Sequence, residues 1–130
     1  MRILLDTHCW LWLHTEPDRF PEPARAVIED RDNDLLFSAA SAWEIAIKFA
    51  LGRLPLPEPP ATYVPSRMER AATDALPVIH DHALRVADLP PHHRDPFDRL
   101  LIAQCQAEQL PLLTLDRQFE PYDIDVIWAV

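Results

Sequence analysis

Four acids stand beside apolar runs: Asp6 after Ile3-Leu4-Leu5, Glu44 between Trp43 and Ile45, Asp98 in Pro96-Phe97-Asp98-Arg99, and Asp116 after Leu113-Thr114-Leu115. Carboxylates brought close together repel unless a proton or a cation offsets their charge, and hard oxygen donors suit Mg²⁺ or Mn²⁺. A carboxylate-held divalent ion can activate a water and bind a phosphate oxygen, so hydrolysis of a phosphodiester is the chemistry such a group would serve. The sequence leaves one ion or two open.

The elements that must bring these acids together can be read along the chain. Arg2–Leu5 reads as a buried strand, and a helix follows from Thr7 to His14, with Thr7 as a candidate cap and Pro17 beyond its end. Ala24, Val27 and Ile28 repeat at helical spacing within 23–30. Leu35–Phe37 is a second short strand, and Ser38–Ser41 leads into a helix reaching Leu51. Gly52, the only glycine, falls where a left-handed C-cap is wanted. The prolines of 54–60 dictate an extended connector. Beyond it the pattern predicts a helix over 66–73, a strand over 76–79 and a helix over 81–87. A polar loop at His92–Asp95 precedes a helix from Pro96 to Glu108, with proline in its first turn. A strand at 112–114, a helical turn at 116–119 and a strand at 124–128 complete the alternation.

Strands this apolar, alternating with helices, imply a mainly parallel sheet covered on both faces, an α/β/α three-layer sandwich formed by residues 1–130 as one domain. Ligands of such sheets bind outside the carboxyl ends of the strands, where strand order reverses. Asp6 and Asp116 follow strands directly. Glu44 and Asp98 lie near the starts of helices, so all four acids are expected at that edge.

Composition limits the alternatives. The chain has 130 residues, is 48% hydrophobic and carries a net charge of −9, which disfavours a protein that holds nucleic acid by overall electrostatic attraction. Acids gathered around a cation account for part of that charge. The opening residues do not read as an export signal and no apolar run approaches membrane-spanning length, so a cytoplasmic protein is expected. Cys9 and Cys105 lack metal-binding spacing and read as reduced thiols.

Each acid also has a plain structural role available, least readily Asp6, which could simply close a strand. Glu44 and Lys48 at i, i+4 fit an exposed helix pair, Asp98 in a first helical turn favours the macrodipole, and Asp116 can cap a turn. Asp95 reads as the N-cap of its helix and stays outside the metal set. His8, His92 and His93 read as structural or solvent-facing, and none is assigned to metal. Lys48, Arg94, Arg99 and Arg117 flank the acids and could meet phosphates locally, although each reads first as a solvated charge. Trp10, Trp12 and Trp43 read first as core and secondarily as contact surface.

The strings Leu4-Leu5-Asp6-Thr7-His8, Ser38 through Lys48, Asp95-Pro96-Phe97-Asp98-Arg99 through Gln104, and Leu113-Thr114-Leu115-Asp116 with Phe119 add more than the acids alone. In order and spacing they resemble the PIN-domain ribonucleases, and most closely the VapC toxins of bacterial toxin–antitoxin pairs, over essentially the whole chain. The resemblance implies a metal-dependent endoribonuclease in which Asp6, Glu44, Asp98 and Asp116 hold Mg²⁺ or Mn²⁺ and orient the attacking water, with Asp6 and Asp98 as principal ligands. Thr7 and Thr114 match small hydroxyl positions near that centre. An RNA substrate, a homodimer and a cognate antitoxin are implied in the same way, with no membrane partner. A PIN-fold binding module with little turnover is the competing reading. A receiver-type module is disfavoured because Thr7, not a second acid, follows Asp6, and an aspartyl phosphatase because His8 stands where its second acid belongs.

Overall fold

The computed structural model describes residues 1–130. Its centre is a sheet of five parallel strands in the order β3-β2-β1-β4-β5: β1 (Arg2–Leu5), β2 (Asp34–Ser38), β3 (Asp74–Leu76), β4 (Leu112–Thr114) and β5 (Val126–Trp128). The register pairs Ile3 with Leu35, Leu36 with Asp74, Leu5 with Leu113, and Leu113 with Ile127. Six helices accompany it: α1 (Thr7–Thr15), α2 (Ala24–Glu29), α3 (Ala39–Ala50), α4 (Pro60–Arg70), α5 (His80–Arg85) and α6 (Pro96–Glu108).

Alternation along the strands divides the core into two layers. Ile3, Leu5, Leu35, Phe37 and Leu113 point to one face and pack with Trp10 of α1, Ala24 of α2, and Tyr63 and Val64 of α4. Leu4, Leu36, Leu76 and Leu112 point to the other face and pack with Leu101, Ile102 and Cys105 of α6. Because both faces are covered, consecutive residues of the central strands β1, β2 and β4 are buried and mostly apolar, which is the expected signature of a buried parallel sheet. The three-layer α/β/α architecture is as the sequence predicts.

The chain leaves β1 toward β2 and β3, then returns to place β4 on the opposite side of β1. This reversal opens a crevice outside the carboxyl ends of β1 and β4. Asp6 follows β1, and its backbone N–H donates to the Leu113 carbonyl at 3.1 Å, tying the two strand ends together.

Element boundaries differ from the sequence reading in four places, each for a local reason. The cap of α1 is Asp6, whose carboxylate accepts from Cys9 N–H; Thr7 is the first helical residue. Helix α4 begins at Pro60 instead of near residue 66, with Pro59 as its extended cap residue, so the connector ends earlier than the proline run suggests. Pro65 lies inside that helix, in its second turn. Strand β3 covers 74–76, and Pro77 ends it, leaving 77–79 outside the sheet. Strand β5 starts only at Val126. Gly52 does adopt a positive φ of 72° behind α3, where Gly52 N–H bonds to Phe49 O and Arg53 N–H to Lys48 O. Helix α6 ends on a left-handed Gln109 with φ 55°, a position no glycine marks.

Trp10 is the largest fully buried side chain. Its ring stacks on Phe37 with centroids 4.1 Å apart, and its indole N–H donates to Thr73 Oγ1 at 3.2 Å, joining α1 to β2 and to the turn before β3. Trp10→Ala is expected to destabilise the fold by about 3–5 kcal/mol, measured as a lower urea midpoint with an unchanged m-value.

Candidate active site

The crevice at the strand ends is a cleft of about 360 Å³ whose walls include Asp6, Thr7, His8, Glu44, Lys48, Asp95, Asp98, Asp116 and Arg117, with Leu115 and Phe119 as its apolar lining. All four acids singled out from the sequence are brought together in it. A larger cavity of about 860 Å³ lies elsewhere, around Met1, Val27, Pro111 and Ile127, at the amino-terminal side of β1 and β4, and contains none of them.

Asp6 is 4% exposed. One carboxylate oxygen accepts from Cys9 N–H at 2.7 Å, and the other accepts from the hydroxyl of Thr114, which itself accepts from Asp116 N–H at 3.0 Å. Burial raises its pKa above the usual carboxylate range, and the bonds from Thr114 and Cys9 only partly oppose this. The Cys9 thiol is pushed up as well, first by burial and then by the charge of Asp6. A buried, unionised thiol makes a poor nucleophile.

Glu44 is 5% exposed, unlike an ordinary surface helix residue. Its Oε1 accepts from the Thr7 hydroxyl at 2.7 Å, which also lies 2.8 Å from Ser41 Oγ. Its Oε2 is 2.5 Å from Lys48 Nζ, so the i, i+4 pair exists with only its lysine end half exposed. The bond to Glu44 raises the Lys48 pKa.

Asp98 is brought to the cleft by the first turn of α6. Asp95 is the N-cap of that helix, its Oδ1 accepting from Phe97 N–H at 2.8 Å and Asp98 N–H at 3.1 Å, as the sequence predicts. Asp95 also lines the cleft. The Asp98 pKa is pushed up to about 8, first by burial and then by the charges of Asp95, Glu44, Asp6 and Asp116. Asp116 caps a helical turn at 117–119 through Gln118 N–H at 2.9 Å and is a third exposed. Its capping role and its place in the cleft coexist.

His93 was not among the residues the sequence brings to this centre. Its ring is 5% exposed, with Nε2 at 3.0 Å from Asp98 Oδ2 and 3.5 Å from Asp116 Oδ2, and aligned on neither. Nothing in its own surroundings distinguishes it from His92, which is exposed and packs edge-on against Tyr122. The available signal was its place two residues before the α6 cap, where the loop must turn inward.

Arg99 departs from the sequence reading. Its guanidinium does not line the cleft but enters the preceding loop, donating to the carbonyls of Val86, Leu89, Pro90 and His93 at 3.0–3.3 Å. Arg117 lines the cleft with its guanidinium over Trp128, 4.3 Å from the ring centroid. Arg94 is exposed and makes no ion pair. His8 is exposed at the rim beside Trp12. Trp10 is core, Trp12 is half-buried beneath Arg19, and Trp43 is 60% exposed against the edge of Phe97.

Chemically, the cleft offers oxygen donors of high negative charge density with few positive groups to balance them. The residues fit a hard divalent cation: burial and then the neighbouring acids push the Asp98 pKa up, and a cation would offset both the lost solvation and the repulsion. His93, Asp98 and Asp116 place ligand-type atoms within 4.8 Å of one another.

Comparison with known proteins agrees with this fold. The chain is 59% identical over 58 residues to ribonuclease VapC16 of Mycobacterium tuberculosis, a stretch that covers 45% of this chain and 41% of that protein. The chain therefore spans well under half the length of that curated relative. Its fold is similar to VapBC2 from Rickettsia felis bound to a DNA fragment from its promoter, with a TM-score of 0.71 and 13% identity over 98% of both chains. It is similar also to a toxin–antitoxin complex from Klebsiella pneumoniae, with a TM-score of 0.69 and 17% identity over 98% of both chains. At those identities the likeness is one of fold. The PIN-domain family profile matches residues 3–124, from the first buried residue of β1 to the approach of β5, and the chain belongs to the PIN-domain family.

Proposed function

We propose that the protein is a divalent-metal-dependent endoribonuclease, acting in the cytoplasm as the toxin of a type II toxin–antitoxin pair, with residues 1–130 as one nuclease domain. Asp6, Glu44, Asp98 and Asp116 are the residues proposed to hold Mg²⁺ or Mn²⁺. The observation that carries this reading is the convergence of these four carboxyls in one cleft, where burial and the neighbouring acids push the Asp98 pKa up. Perturbed acids converging in one cleft mark functional sites more often than structural ones.

A divalent ion bound among these acids supplies a Lewis acid for a phosphate oxygen and lowers the pKa of a water. The chain's own residues do the positioning. Asp6 is fixed by two donors, one from the first turn of α1 and one from the end of β4. Thr7 and Lys48 hold Glu44 between them, so its carboxylate cannot rotate freely. Lys48 and Arg117, at the margin of the acids, offer donors to a phosphodiester backbone that the −9 protein would otherwise repel. Leu115 and Phe119 give one side of the cleft an apolar wall that limits water.

The partners follow the relatives. A 59%-identical stretch in a protein named a ribonuclease supports RNA as substrate, and a fold shared with toxin–antitoxin complexes supports an antitoxin partner. The exposed Trp43 on α3, edge-on to the half-buried Phe97 of α6, supports burial in a homodimer. No helix is long and apolar enough to cross a membrane. Cys9 and Cys105 are buried free thiols, as suits a reducing compartment.

Purified, partner-free protein is expected to cleave RNA with Mg²⁺ or Mn²⁺ and not with EDTA. Asp6→Asn and Asp98→Asn are each expected to lower the rate by more than about 100-fold while leaving the circular dichroism spectrum unchanged. Folded wild-type protein that cleaves under no condition would favour a binding module instead.

A pH dependence follows from Asp98. Its folded pKa lies above the ordinary carboxyl value near 4, so its contribution to stability is present below about pH 4 and is lost as the pH rises toward about 8. Thermal melts of metal-free protein are expected to show that decline, and Asp98→Asn to flatten it, leaving the variant more stable than wild type at pH 8. Mg²⁺ is expected to raise the wild-type melting temperature more at pH 8 than at pH 5, because at pH 5 it must displace a proton.

A further inference from the structure

His93 reaches the carboxylates of Asp98 and Asp116 from the loop before α6, and the surrounding contacts fix its place and point to the position of its proton. Its backbone N–H donates to the Tyr122 hydroxyl at 2.7 Å, that hydroxyl donates to Pro90 O at 2.8 Å, and the His93 carbonyl accepts from Arg99 at 3.3 Å. The ring packs edge-on against Phe119, with centroids 5.5 Å apart. Two atoms of the ring remain to be assigned. Nδ1 lies 3.3 Å from the Asp95 backbone N, whose N–H donates to it. A nitrogen that accepts carries no proton, so in the neutral ring the proton is on Nε2. That N–H is buried and lies 3.0 Å from Asp98 Oδ2 and 3.5 Å from Asp116 Oδ2, aligned on neither, so it is a buried donor without a hydrogen-bond partner beside two acceptors.

We propose that His93 is a positioning residue of this centre, a fixed Nε2–H donor shared by the carboxylates of Asp98 and Asp116, and not itself a metal ligand. The inference rests on the proposed metal-binding role of those two acids. Coordination by Nε2 would require its proton to move to Nδ1, setting two N–H groups against each other at 3.3 Å across the turn that caps α6. As a donor the ring meets no such conflict. A small rotation of the ring would bring this unpartnered N–H onto either acid, where it would offset the charge they turn on each other and restrain one oxygen so that the other is presented to the cleft. Carboxylate ligands are commonly oriented by such outer hydrogen bonds, and loss of one typically weakens metal affinity by about 10–100-fold. Arg99 belongs to the same device: it ties together the loop that carries His93, which explains why a guanidinium beside an acidic cleft is spent on four carbonyls.

The experiment has two independent readouts. In ¹⁵N-histidine-labelled wild-type protein, long-range ¹H–¹⁵N spectra near neutral pH, with His93 assigned by its absence in His93→Gln, are expected to show the Nε2–H tautomer. The same pattern is expected to persist after addition of Mg²⁺ or Zn²⁺. Calorimetric titration with Mg²⁺ alone is expected to give His93→Leu an affinity lower by about 10–100-fold and His93→Gln, which keeps an N–H donor near the Nε2 position, one within about threefold of wild type. A proton on Nδ1, or an Nε2 resonance displaced by direct coordination of Zn²⁺, would overturn the proposal, as would wild-type Mg²⁺ affinity in a folded His93→Leu. Absence of Mg²⁺ binding in wild-type protein would instead overturn the metal reading of Asp98 and Asp116. In that case the tautomer measurement still decides whether His93 is the donor.

Discussion

Like charges gathered at the end of an apolar sheet are the constraint around which the cleft is arranged. Asp6, Glu44, Asp95, Asp98 and Asp116 meet in about 360 Å³, and burial together with the charges of the other four pushes the Asp98 pKa up to about 8. A fold tolerates such a cluster only where other interactions over-determine it. Here the two core layers, built from alternate residues of the same strands, fix the strand ends from which Asp6 and Asp116 project. The repulsion is therefore offset by packing elsewhere in the molecule.

Capping interactions translate that scaffold into side-chain positions. Asp6, Asp95 and Asp116 each accept from backbone N–H groups at the start of a helix or turn, so local helix geometry aims them. Hydroxyls do the rest: Thr114 bonds Asp6, and Thr7 bonds Glu44. The same residues thus serve stability and the proposed chemistry, which is why a capping role and a metal-binding role for Asp6 or Asp116 are not rival explanations. Lys48 stands apart as the cation held directly against the cluster, half in solvent and bonded to Glu44.

Much of this was legible in the residues. Strands β1, β2 and β4 announce themselves as apolar runs, and the acids that follow β1 and β4 land at the reversal of strand order because parallel topology leaves them nowhere else to go. Helix α6 was legible from residue to residue, since Pro96 and Asp95 mark its start by chemistry. Helix α4 was not: Pro59, Pro60 and Pro65 read as breakers, yet Pro60 sits in the first turn, where no N–H is required. The end of α6 was unsigned because Gln109 adopts a left-handed conformation usually given to glycine or asparagine. The roles of His93 and Arg99 depend on the course of the loop from 86 to 95, which periodicity does not encode. Local pattern shows which residues are polar there and gives no direction to their side chains.

The most direct test of the account is to locate the cation. Crystals of the partner-free protein soaked in Mn²⁺ and measured at the manganese edge are expected to show an anomalous peak in the cleft between Asp6 and Asp98, within about 2.0–2.4 Å of carboxylate oxygens and farther from His93 Nε2. Absence of a peak at saturating Mn²⁺, or a peak at some other surface with the acid cleft empty, would contradict the claim that this cluster of carboxylates exists to hold a divalent ion.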